Sequence, residues 1–357
     1  MNALGKRIAD LIAASGPITV AQFMTLALHD PAHGYYATRD PLGARGDFVT
    51  APEISQMFGE LVGLWCAQVW HDQGMPLRPH LVELGPGRGT LMADALRALK
   101  LVPNYLASLK VTLVEASPAL AAIQREALAK VAAPVAWQTR FDPAHIDGPL
   151  FLVANEFLDA LPIRQFVHTE NGWHERTIVT DALGALAFAL APASANAFVP
   201  ADRSPAPDGA VYESCPSAAA IVEEIARTIA RQGGAALVVD YGYDAPEFGE
   251  TLQAVSGHKF SDVLSAPGES DLSAHVDFRA LAKAAAAGGA RAYGPVEQGR
   301  FLTALGIAER AERLTRSDSE DAKRARDRLV HPDQMGRLFK ALAIVPPTAA
   351  PPPGFSQ

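Results

Sequence analysis

Apolar positions between residue 81 and about residue 160 follow two alternating patterns. Short continuous apolar runs, typical of strands buried on both faces, alternate with longer runs in which apolar residues recur at helical spacing. The strand-like runs are "HLVELG", "KVTLVEA", "VAWQTRF" and "PLFLVANEFL". This alternation predicts βαβ crossovers and a parallel sheet. The rhythm returns with "SAAAIVEEIARTIARQGGAALVVDYGY" and persists to about residue 308, so we expect an α/β fold.

The remaining segments have other patterns of apolar and polar residues. Residues 1–80 are expected to be helical with loops, and "GARGDFVTAPEISQMFGELVGLWCAQVW" predicts a loop that enters one long helix, because Pro52 and Glu53 both suit a first helical turn. "RQFVHTENGWHERTIVT" alternates on both sides of Asn171-Gly172, which predicts a hairpin. Residues 181–210 are rich in Ala, Pro and Ser, and we expect an insertion with a mobile loop there. The tail "PPTAAPPPGFSQ" is expected to be disordered.

Composition narrows the class of protein. With 357 residues, 49% of them apolar, the chain can form one large domain or one domain with a substantial insertion. A net charge of −8 disfavours nucleic acid and anionic membranes as partners. Cys66 and Cys215 form no CxxC pattern, which argues against a disulfide framework and a structural zinc site. The N-terminus lacks a signal-peptide pattern, and no window approaches the roughly 20 apolar residues of a membrane span. We therefore expect a cytoplasmic protein without membrane insertion.

The stretch "LVELGPGRGTLMADALRALK" passes from a predicted strand into a predicted helix through Gly85, Gly87 and Gly89. Without side chains, the backbone can approach a ligand closely, and the helix N-terminus offers unpaired N–H groups. A nucleotide-like cofactor is the expected ligand. A dinucleotide fingerprint reads G-x-G-x-x-G, whereas these glycines stand at i, i+2 and i+4 with Glu83 two residues before the first. The alternative is a glycine turn that binds nothing.

Two acids after the next strands extend this hypothesis. Glu115 follows "KVTLV", and an acid at the end of the second strand accepts ribose hydroxyl hydrogen bonds in nucleotide-binding folds. Glu115 by itself does not decide which nucleotide-like cofactor binds. Asp142 follows "VAWQTRF", where it could accept from an adenine amino group or equally cap a helix ahead of Pro143.

Six segments, in order, carry a specific resemblance: "RGDFVTAPEISQMFGE", "VELGPGRGTLMADALR", "NEFLDALPIRQF", "VVDYGY", "DLSAHVDF" and "FLTALGI". They resemble the MidA-like family of class I S-adenosylmethionine-dependent methyltransferases over about residues 5 to 345. The resemblance implies a Rossmann-like methyltransferase sheet with a helical N-terminal extension and an inserted β/loop region. It divides the chain into an extension with a cofactor-covering loop (1–80), a core (81–345) with an insertion at about 164–215, and the tail (346–357).

The same resemblance implies roles for the glycine turn and for the loop before it. In this family Glu83 would contact the amino-acid end of S-adenosylmethionine, and the turn made by Gly85, Pro86 and Gly87 would pass beneath the cofactor. The loop is expected to fold over the cofactor, although ordinary capping accounts for Thr50 about as well. The loop residues concerned are Asp47, Thr50, Pro52 and Glu53.

The resemblance also implies where chemistry takes place. In amino-group methyltransferases the end of the fourth strand carries polar residues that face the methyl group, here Asn155, Glu156 and Asp159. Glu156 and Asp159 are the first candidates for binding a guanidinium, whose pKa above 12 and delocalised lone pair make it a poor nucleophile. For each of these two carboxylates the alternative is a purely structural bond to loop backbone.

A second candidate cluster consists of Asp271, His275 and Asp277 in "DLSAHVDF", where His275 could accept the proton released after transfer. A capping or packing role for this histidine is the alternative. Displacement at a sulfonium has a neutral leaving group, so the predicted reaction requires no metal.

Three functions therefore compete. The resemblance favours arginine methylation of a protein partner, a subunit of respiratory complex I, since mitochondrial family members are complex I assembly factors. A second hypothesis is an assembly factor that binds S-adenosylmethionine without turnover. A dinucleotide-dependent oxidoreductase is third, because the glycine spacing does not fit it.

Overall fold

The computed structural model describes residues 1–38, 49–131, 133–203, 205–245, 248–257, 259–315 and 319–356. Its α-helices are α1 (Ala3–Ser15), α2 (Val20–His29), α3 (Tyr35–Thr38), α4 (Ala51–Ile54), α5 (Gln56–Asp72), α6 (Thr90–Ala98), α7 (Pro103–Ser108), α8 (Pro118–Ala127), α9 (Pro216–Gln232), α10 (Phe278–Ala287), α11 (Gln298–Ala304), α12 (Ile307–Thr315) and α13 (Ser319–Val330). Its β-strands are β1 (Ile18–Thr19), β2 (His80–Leu84), β3 (Lys110–Val114), β4 (Val135–Gln138), β5 (Leu150–Asn155), β6 (Arg164–Thr169), β7 (Gly172–Thr180), β8 (Leu186–Ser194), β9 (Val211–Ser214), β10 (Gly234–Tyr243), β11 (Gln253–Ser256), β12 (Lys259–Ser261), β13 (Asp271–Ser273), β14 (Val276–Asp277), β15 (Arg291–Glu297) and β16 (Phe339–Val345).

The described residues form two compact units. The core unit comprises residues 49–158, 219–244 and 278–356. The appended unit comprises residues 1–38, 159–218 and 245–277, with the gaps given above. Part of the predicted N-terminal extension thus belongs to the appended unit, while its last part, from residue 49, belongs to the core unit.

The core unit is built on a sheet with the strand order β15-β16-β10-β5-β2-β3-β4. β10, β5, β2, β3 and β4 run parallel, and β16 is antiparallel to both of its neighbours. Every residue of β2 and of β5 is buried, as expected for central parallel strands covered on both faces. The predicted α/β fold with a Rossmann-like sheet is confirmed.

The chain leaves β2 toward β3 and β4 on one side, and returns through β5 and β10 on the other. The sheet therefore changes its direction of winding between β2 and β5. In open α/β sheets, ligands bind outside the carboxyl ends of the strands at such a switch point. The glycine turn follows β2, Glu115 follows β3, and Glu156 follows β5, so the sheet brings three candidate segments to one edge.

Two glycines on α5 let α6 approach closely, and α6 begins at the glycine turn. A Cβ on Gly59 would lie 2.8 Å from the Leu91 carbonyl oxygen, and a Cβ on Gly63 would lie 2.8 Å from the Cα of Ala95. No side chain larger than hydrogen fits at either contact. This packing holds α6, which begins at the glycine turn, against α5.

The appended unit contains an antiparallel sheet in the order β1-β7-β6-β9, with β8 also paired to β7. The predicted hairpin is confirmed, because Thr169 pairs with Gly172 across its turn. A second sheet has the order β12-β11-β13. The apolar faces of α1 and α2 supply buried residues to the core of this unit, including Leu4, Ile8, Phe23 and Met24.

The structure differs from three expectations. The single long helix is interrupted at Ser55, whose extended backbone ends α4 and whose hydroxyl accepts from the Met57 N–H at the start of α5. The 181–210 stretch is not simply a loop, since residues Leu186–Ser194 form β8. The tail is not disordered over its described part, because Phe355 is buried against Phe301.

Among the described residues, none of the helices is both long enough and apolar enough to cross a bilayer.

Candidate functional site

The glycine turn has a backbone that disfavours other residues. Gly85, Gly87 and Gly89 have φ angles of +59°, +54° and +81°. These angles lie in the left-handed region that residues with a Cβ seldom adopt. At Gly85 an added Cβ would also lie 2.6 Å from the Phe157 ring. The turn is closed by a hydrogen bond of 2.7 Å from the Gly89 N–H to the carbonyl oxygen of Pro86. Pro86 is buried.

Glu83 is a carboxyl group in the middle of the sheet. Its side chain is 3% exposed, and its Oε2 has no hydrogen-bond partner among the described residues. Burial raises the pKa of Glu83 to about 8. A carboxyl group in a central strand is costly unless a partner compensates it, so this residue indicates a ligand.

Asn155 lies diagonally beside Glu83 on the same face of the sheet. Glu83 pairs with Val153 in β5, and Asn155 is two residues further along that strand, so both side chains point the same way. The Oδ1 of Asn155 is also buried and has no partner among the described residues. Two orphaned acceptor oxygens therefore lie on one face at the switch point, where a donor-rich ligand group would satisfy both.

Glu115 is held in place by two donors. Its Oε1 accepts from the backbone N–H of Ser117 at 2.7 Å, and its Oε2 accepts from the Gln124 side chain at 3.1 Å. Burial raises the pKa of Glu115, while these hydrogen bonds act in the opposite direction. These two contacts hold the carboxylate in one orientation at the end of β3, and its contact with a ribose stays a prediction.

Sequence reasoning missed Gln124. This glutamine is fully buried on α8 and contacts the glycine turn as well as Glu115. The signal was available in the sequence, because Gln124 lies on the same helical face as Leu120 and Ala121, where an apolar residue is expected.

Asp142 caps a 3-10 turn. Its side chain accepts from the Ala144 N–H at 3.0 Å, and its other oxygen lies 3.3 Å from the His145 ring. The capping alternative is therefore observed, whereas an adenine contact by Asp142 remains a prediction.

Residues 49–54 bring the loop segment to the glycine turn and to the end of β5. Glu53 accepts a hydrogen bond from the Thr90 hydroxyl in the first turn of α6. Thr50 stands at the N-terminus of α4 without a side-chain capping bond, and Pro52 is buried in the first turn. Asp47, the remaining loop candidate, lies outside the described residues.

Glu156 adopts a strained backbone at the end of β5. Its φ is +49°, which is uncommon for a residue with a side chain. Its Oε1 accepts from the Ala51 N–H at 2.8 Å and from the Asn155 side chain at 3.2 Å. The alternative that Glu156 only makes a structural bond to loop backbone is thus partly observed, because its carboxylate accepts from the Ala51 N–H. Strain of this kind occurs often at functional sites.

The turn after Glu156 is held by Asp240, which sequence reasoning also missed. Asp240 is fully buried, and its Oδ2 accepts from the backbone N–H groups of Phe157 and Leu158 at 3.2 and 2.9 Å. The acid stands inside the apolar run "VVDYGY", and that placement was the available signal. Asp240 therefore shapes the backbone on which Glu156 is presented.

In the appended unit, the Tyr36 hydroxyl donates to the Asp271 carboxylate at 3.0 Å. The backbone N–H of Ala274 donates to the Asp159 carbonyl at 2.9 Å. Burial and the charges of Asp271 and Asp159 raise the pKa of Tyr36 well above its ordinary value. The two predicted acids, distant in sequence, thus share one neighbourhood with a tyrosine that sequence reasoning did not select.

The other two members of the second cluster are held differently. The His275 backbone N–H donates to the Thr251 hydroxyl at 2.9 Å. Asp277 forms an ion pair of 3.0 Å with Arg203, and both side chains are largely buried. Because Arg203 compensates its charge, Asp277 is less suited than Asp271 to binding a cationic substrate.

Comparison with known proteins places this geometry in context. The family model described as "Putative S-adenosyl-L-methionine-dependent methyltransferase" matches residues 61–296. The chain is 39% identical over 366 residues to the protein arginine methyltransferase NDUFAF7, mitochondrial, of Mus musculus, a match that covers 94% of this chain and 82% of the relative. The Homo sapiens protein of the same name is also 39% identical, with 94% and 81% covered.

A solved structure is similar over nearly its whole length. It is a crystal structure of a Burkholderia thailandensis protein bound to S-adenosyl-homocysteine, with 30% sequence identity and a TM-score of 0.88. The match covers 99% of this chain and 95% of that one.

These comparisons correct one expectation. The Mus musculus and Homo sapiens relatives are named as mitochondrial proteins, so the prediction of a cytoplasmic location is wrong.

Proposed function

Because this chain belongs to the S-adenosyl-L-methionine-dependent methyltransferase family whose model matches residues 61–296, we propose that it methylates an arginine side chain of a protein. The relatives named as protein arginine methyltransferases support this choice of acceptor. The observation that carries the cofactor part of the proposal is the buried Glu83 carboxyl, whose Oε2 has no partner in the described chain, beside a left-handed glycine turn at the switch point.

The residues present fit the cofactor. The orphaned oxygens of Glu83 and Asn155 would accept from the ammonium group of its amino-acid end. The glycine turn at Gly85 and Gly87 offers backbone without side chains, and Glu115 would accept from the ribose hydroxyls. The polar groups supplied by the chain therefore match the amino-acid end and the ribose of S-adenosylmethionine, and an adenine contact by Asp142 stays a prediction.

S-adenosylmethionine, when bound, supplies a methyl group that its sulfonium already activates. The chain must then position the acceptor and stabilise its positive charge. We assign Glu156 to the guanidinium, because a carboxylate can bind its N–H groups and direct electron density to one nitrogen. The hydrogen bonds from Ala51 and Asn155 hold this carboxylate in one orientation.

In the appended unit, Asp159 and Asp271 remain candidates for binding the substrate cation, and Tyr36 orients Asp271. His275 remains the candidate that accepts the proton released after transfer, since imidazole titrates near neutral pH. Asp277 has its charge compensated by Arg203 and is assigned a structural role.

The substrate we propose is a subunit of respiratory complex I, on the strength of the resemblance to the MidA-like family. The test is to incubate the purified chain with S-adenosylmethionine carrying a deuterated methyl group and with isolated complex I subunits. Tandem mass spectrometry is expected to find the label on an arginine. The Glu156→Gln variant serves as the control with impaired turnover.

Two results would contradict parts of this proposal. Label on lysine or on a carboxylate, and not on arginine, would change the acceptor class. If calorimetry shows binding of S-adenosylhomocysteine but no subunit acquires label, the result favours an assembly factor that binds the cofactor without turnover.

A further inference from the structure

Gln124 joins three separate elements of the core unit through one buried amide. Its Nε2 donates to the Gly87 carbonyl oxygen at 2.8 Å and to Glu115 Oε2 at 3.1 Å. Its Oε1 accepts from the indole N–H of Trp137 on β4 at 3.0 Å. The side chain is fully buried on α8, and a Cβ on Gly89 would lie 3.4 Å from its Cγ. Burial of an amide is tolerated only when its hydrogen bonds are satisfied, as they are here.

The partners of Gln124 determine which way its amide points. The Trp137 indole can only donate, and the Gly87 carbonyl can only accept. The amide oxygen must therefore face Trp137, and the amide nitrogen must face Gly87 and Glu115. The Arg125 guanidinium stacks on the Trp137 ring, 4.9 Å from its centroid, and helps to fix the indole. Trp137 on β4 thus fixes the direction in which the Gln124 amide N–H groups point.

The contacts of Gln124 act on two parts of the cofactor site, the glycine turn and the Glu115 carboxylate. The hydrogen bond to Gly87 fixes the plane of the peptide that follows it, because a peptide is planar and its carbonyl direction sets the N–H direction. The hydrogen bond to Glu115, together with that from Ser117, fixes the plane of the carboxylate. A carboxylate held before the ligand arrives loses less conformational freedom on binding.

We infer that Gln124 is a positioning residue that holds the glycine turn and the ribose carboxylate in the arrangement that binds the cofactor. The inference rests on the cofactor site of the proposed function, but not on arginine as the acceptor. Gln124 acts through Gly87 and Glu115 and contacts neither the methyl group nor the substrate in this role.

The test substitutes Gln124→Met, which keeps the length of the side chain and removes its hydrogen bonds. Binding of S-adenosylhomocysteine to the full chain is measured by calorimetry, and we expect the dissociation constant to rise at least about tenfold. The matched control is Gln165→Met in the appended unit. Gln165 is also fully buried and donates to a carboxylate, that of Glu213, at 2.7 Å. This control should lose stability while its affinity for S-adenosylhomocysteine stays unchanged.

A second measurement separates positioning from general destabilisation. The wild type is expected to bind S-adenosylhomocysteine more tightly than its 2′-deoxyribose analogue, because Glu115 accepts from the ribose hydroxyls. In Gln124→Met this preference should shrink, since the carboxylate is no longer oriented. In the background of Glu115→Ala, Gln124→Met should weaken binding less than it does in the wild type, because residues that act together are not additive.

Wild-type affinity and ribose preference in a folded Gln124→Met variant would overturn the inference, and so would full additivity with Glu115→Ala. If Gln124→Met does not fold, Trp137→Phe removes only the donor that orients the amide. The affinity of Trp137→Phe for S-adenosylhomocysteine should also fall, by a smaller factor, and an unchanged affinity would count against the inference.

If the wild type does not bind S-adenosylhomocysteine, the cofactor site and this inference both fail. If it binds but methylates no arginine, only the proposed reaction fails.

Discussion

The backbone N–H of Ala51 donates a hydrogen bond of 2.8 Å to the carboxylate of Glu156. This contact joins the start of α4 to the end of β5, two segments separated by 105 positions in the chain. Because Glu156 has a φ of +49°, its carboxylate is held by both a strained backbone and a hydrogen bond. The arrangement suits a group that must present its charge in one direction.

The first prediction concerns the charge of Glu156. In Glu156→Gln the side-chain carbonyl can still accept from Ala51, but the negative charge is removed. Single-turnover methylation should fall by at least ~10²-fold, the range for losing one preorganised electrostatic group. Affinity for S-adenosylhomocysteine should change little. Glu126→Gln, on the exposed side of α8, is the control and should retain full turnover. Near-normal turnover in Glu156→Gln would move the guanidinium-binding role to Asp159 or Asp271.

The second prediction separates backbone strain from a steric clash at the glycine turn. Gly85→Ala and Gly74→Ala both place a Cβ on a residue with positive φ, but only at Gly85 does the new atom meet another residue, the Phe157 ring. Gly74→Ala should lose about 1 to 2 kcal/mol of stability through backbone strain alone, and Gly85→Ala should lose more, because its Cβ also meets the Phe157 ring. Only Gly85→Ala should also weaken S-adenosylhomocysteine binding, as measured by calorimetry. Equal affinities of the two variants would show that the turn does not support the cofactor.

The third prediction is a pH dependence caused by Glu83. Burial raises the pKa of Glu83 from 4.5 to about 8 in the folded protein. Between these values the native state retains a proton that the unfolded state has lost. The free energy of unfolding should therefore decrease as pH rises through this window, by up to about 1.4 kcal/mol per pH unit. Denaturant titrations of wild type and Glu83→Gln isolate this contribution, because the variant lacks the titrating group.

Cofactor binding should show the opposite trend with pH. An ammonium group pairs with the ionised form of Glu83, so binding should release a proton, and affinity should rise between pH 6 and 8 in the wild type. Proton release is measured by calorimetry in buffers of different ionisation enthalpy. Glu83→Gln should bind S-adenosylhomocysteine more weakly. The part of the pH dependence that Glu83 causes should be absent from this variant. A pH-independent affinity in the wild type would remove Glu83 from the cofactor site.

The fourth prediction concerns the buried ion pair of Arg203 and Asp277. Arg203→Met leaves the Asp277 carboxylate without its compensating charge and should cost about 3 to 5 kcal/mol of stability. Adding Asp277→Asn should recover part of this loss. Chemical denaturation of the single and double variants measures both effects. If Arg203→Met is nearly as stable as wild type and Asp277→Asn alone abolishes methylation, Asp277 is a catalytic residue after all.

Local sequence patterns were sufficient for those features that neighbouring residues decide. The apolar runs predicted the parallel strands, because strands buried on both faces require them. Asn171-Gly172 predicted the hairpin, since Gly172 supplies the positive φ of its turn, +97°. Gly85, Gly87 and Gly89, between an apolar run and a helical pattern, predicted a strand, a glycine turn and a helix in that order, and all three glycines have left-handed backbones.

Tertiary structure decided what depends on residues far apart in the chain. The Tyr36 hydroxyl meets Asp271 across 235 positions, and no local pattern could select that tyrosine. The proline-rich tail is ordered because Phe355 packs on Phe301 and the Trp65 indole donates to the Pro353 carbonyl. The composition of the tail does not reveal these stabilising contacts. Gln124 could be recognised as a polar residue on an apolar helix face, but its three partners lie on different elements. Only the folded sheet brings Gly87, Glu115 and Trp137 within hydrogen-bonding distance of one amide.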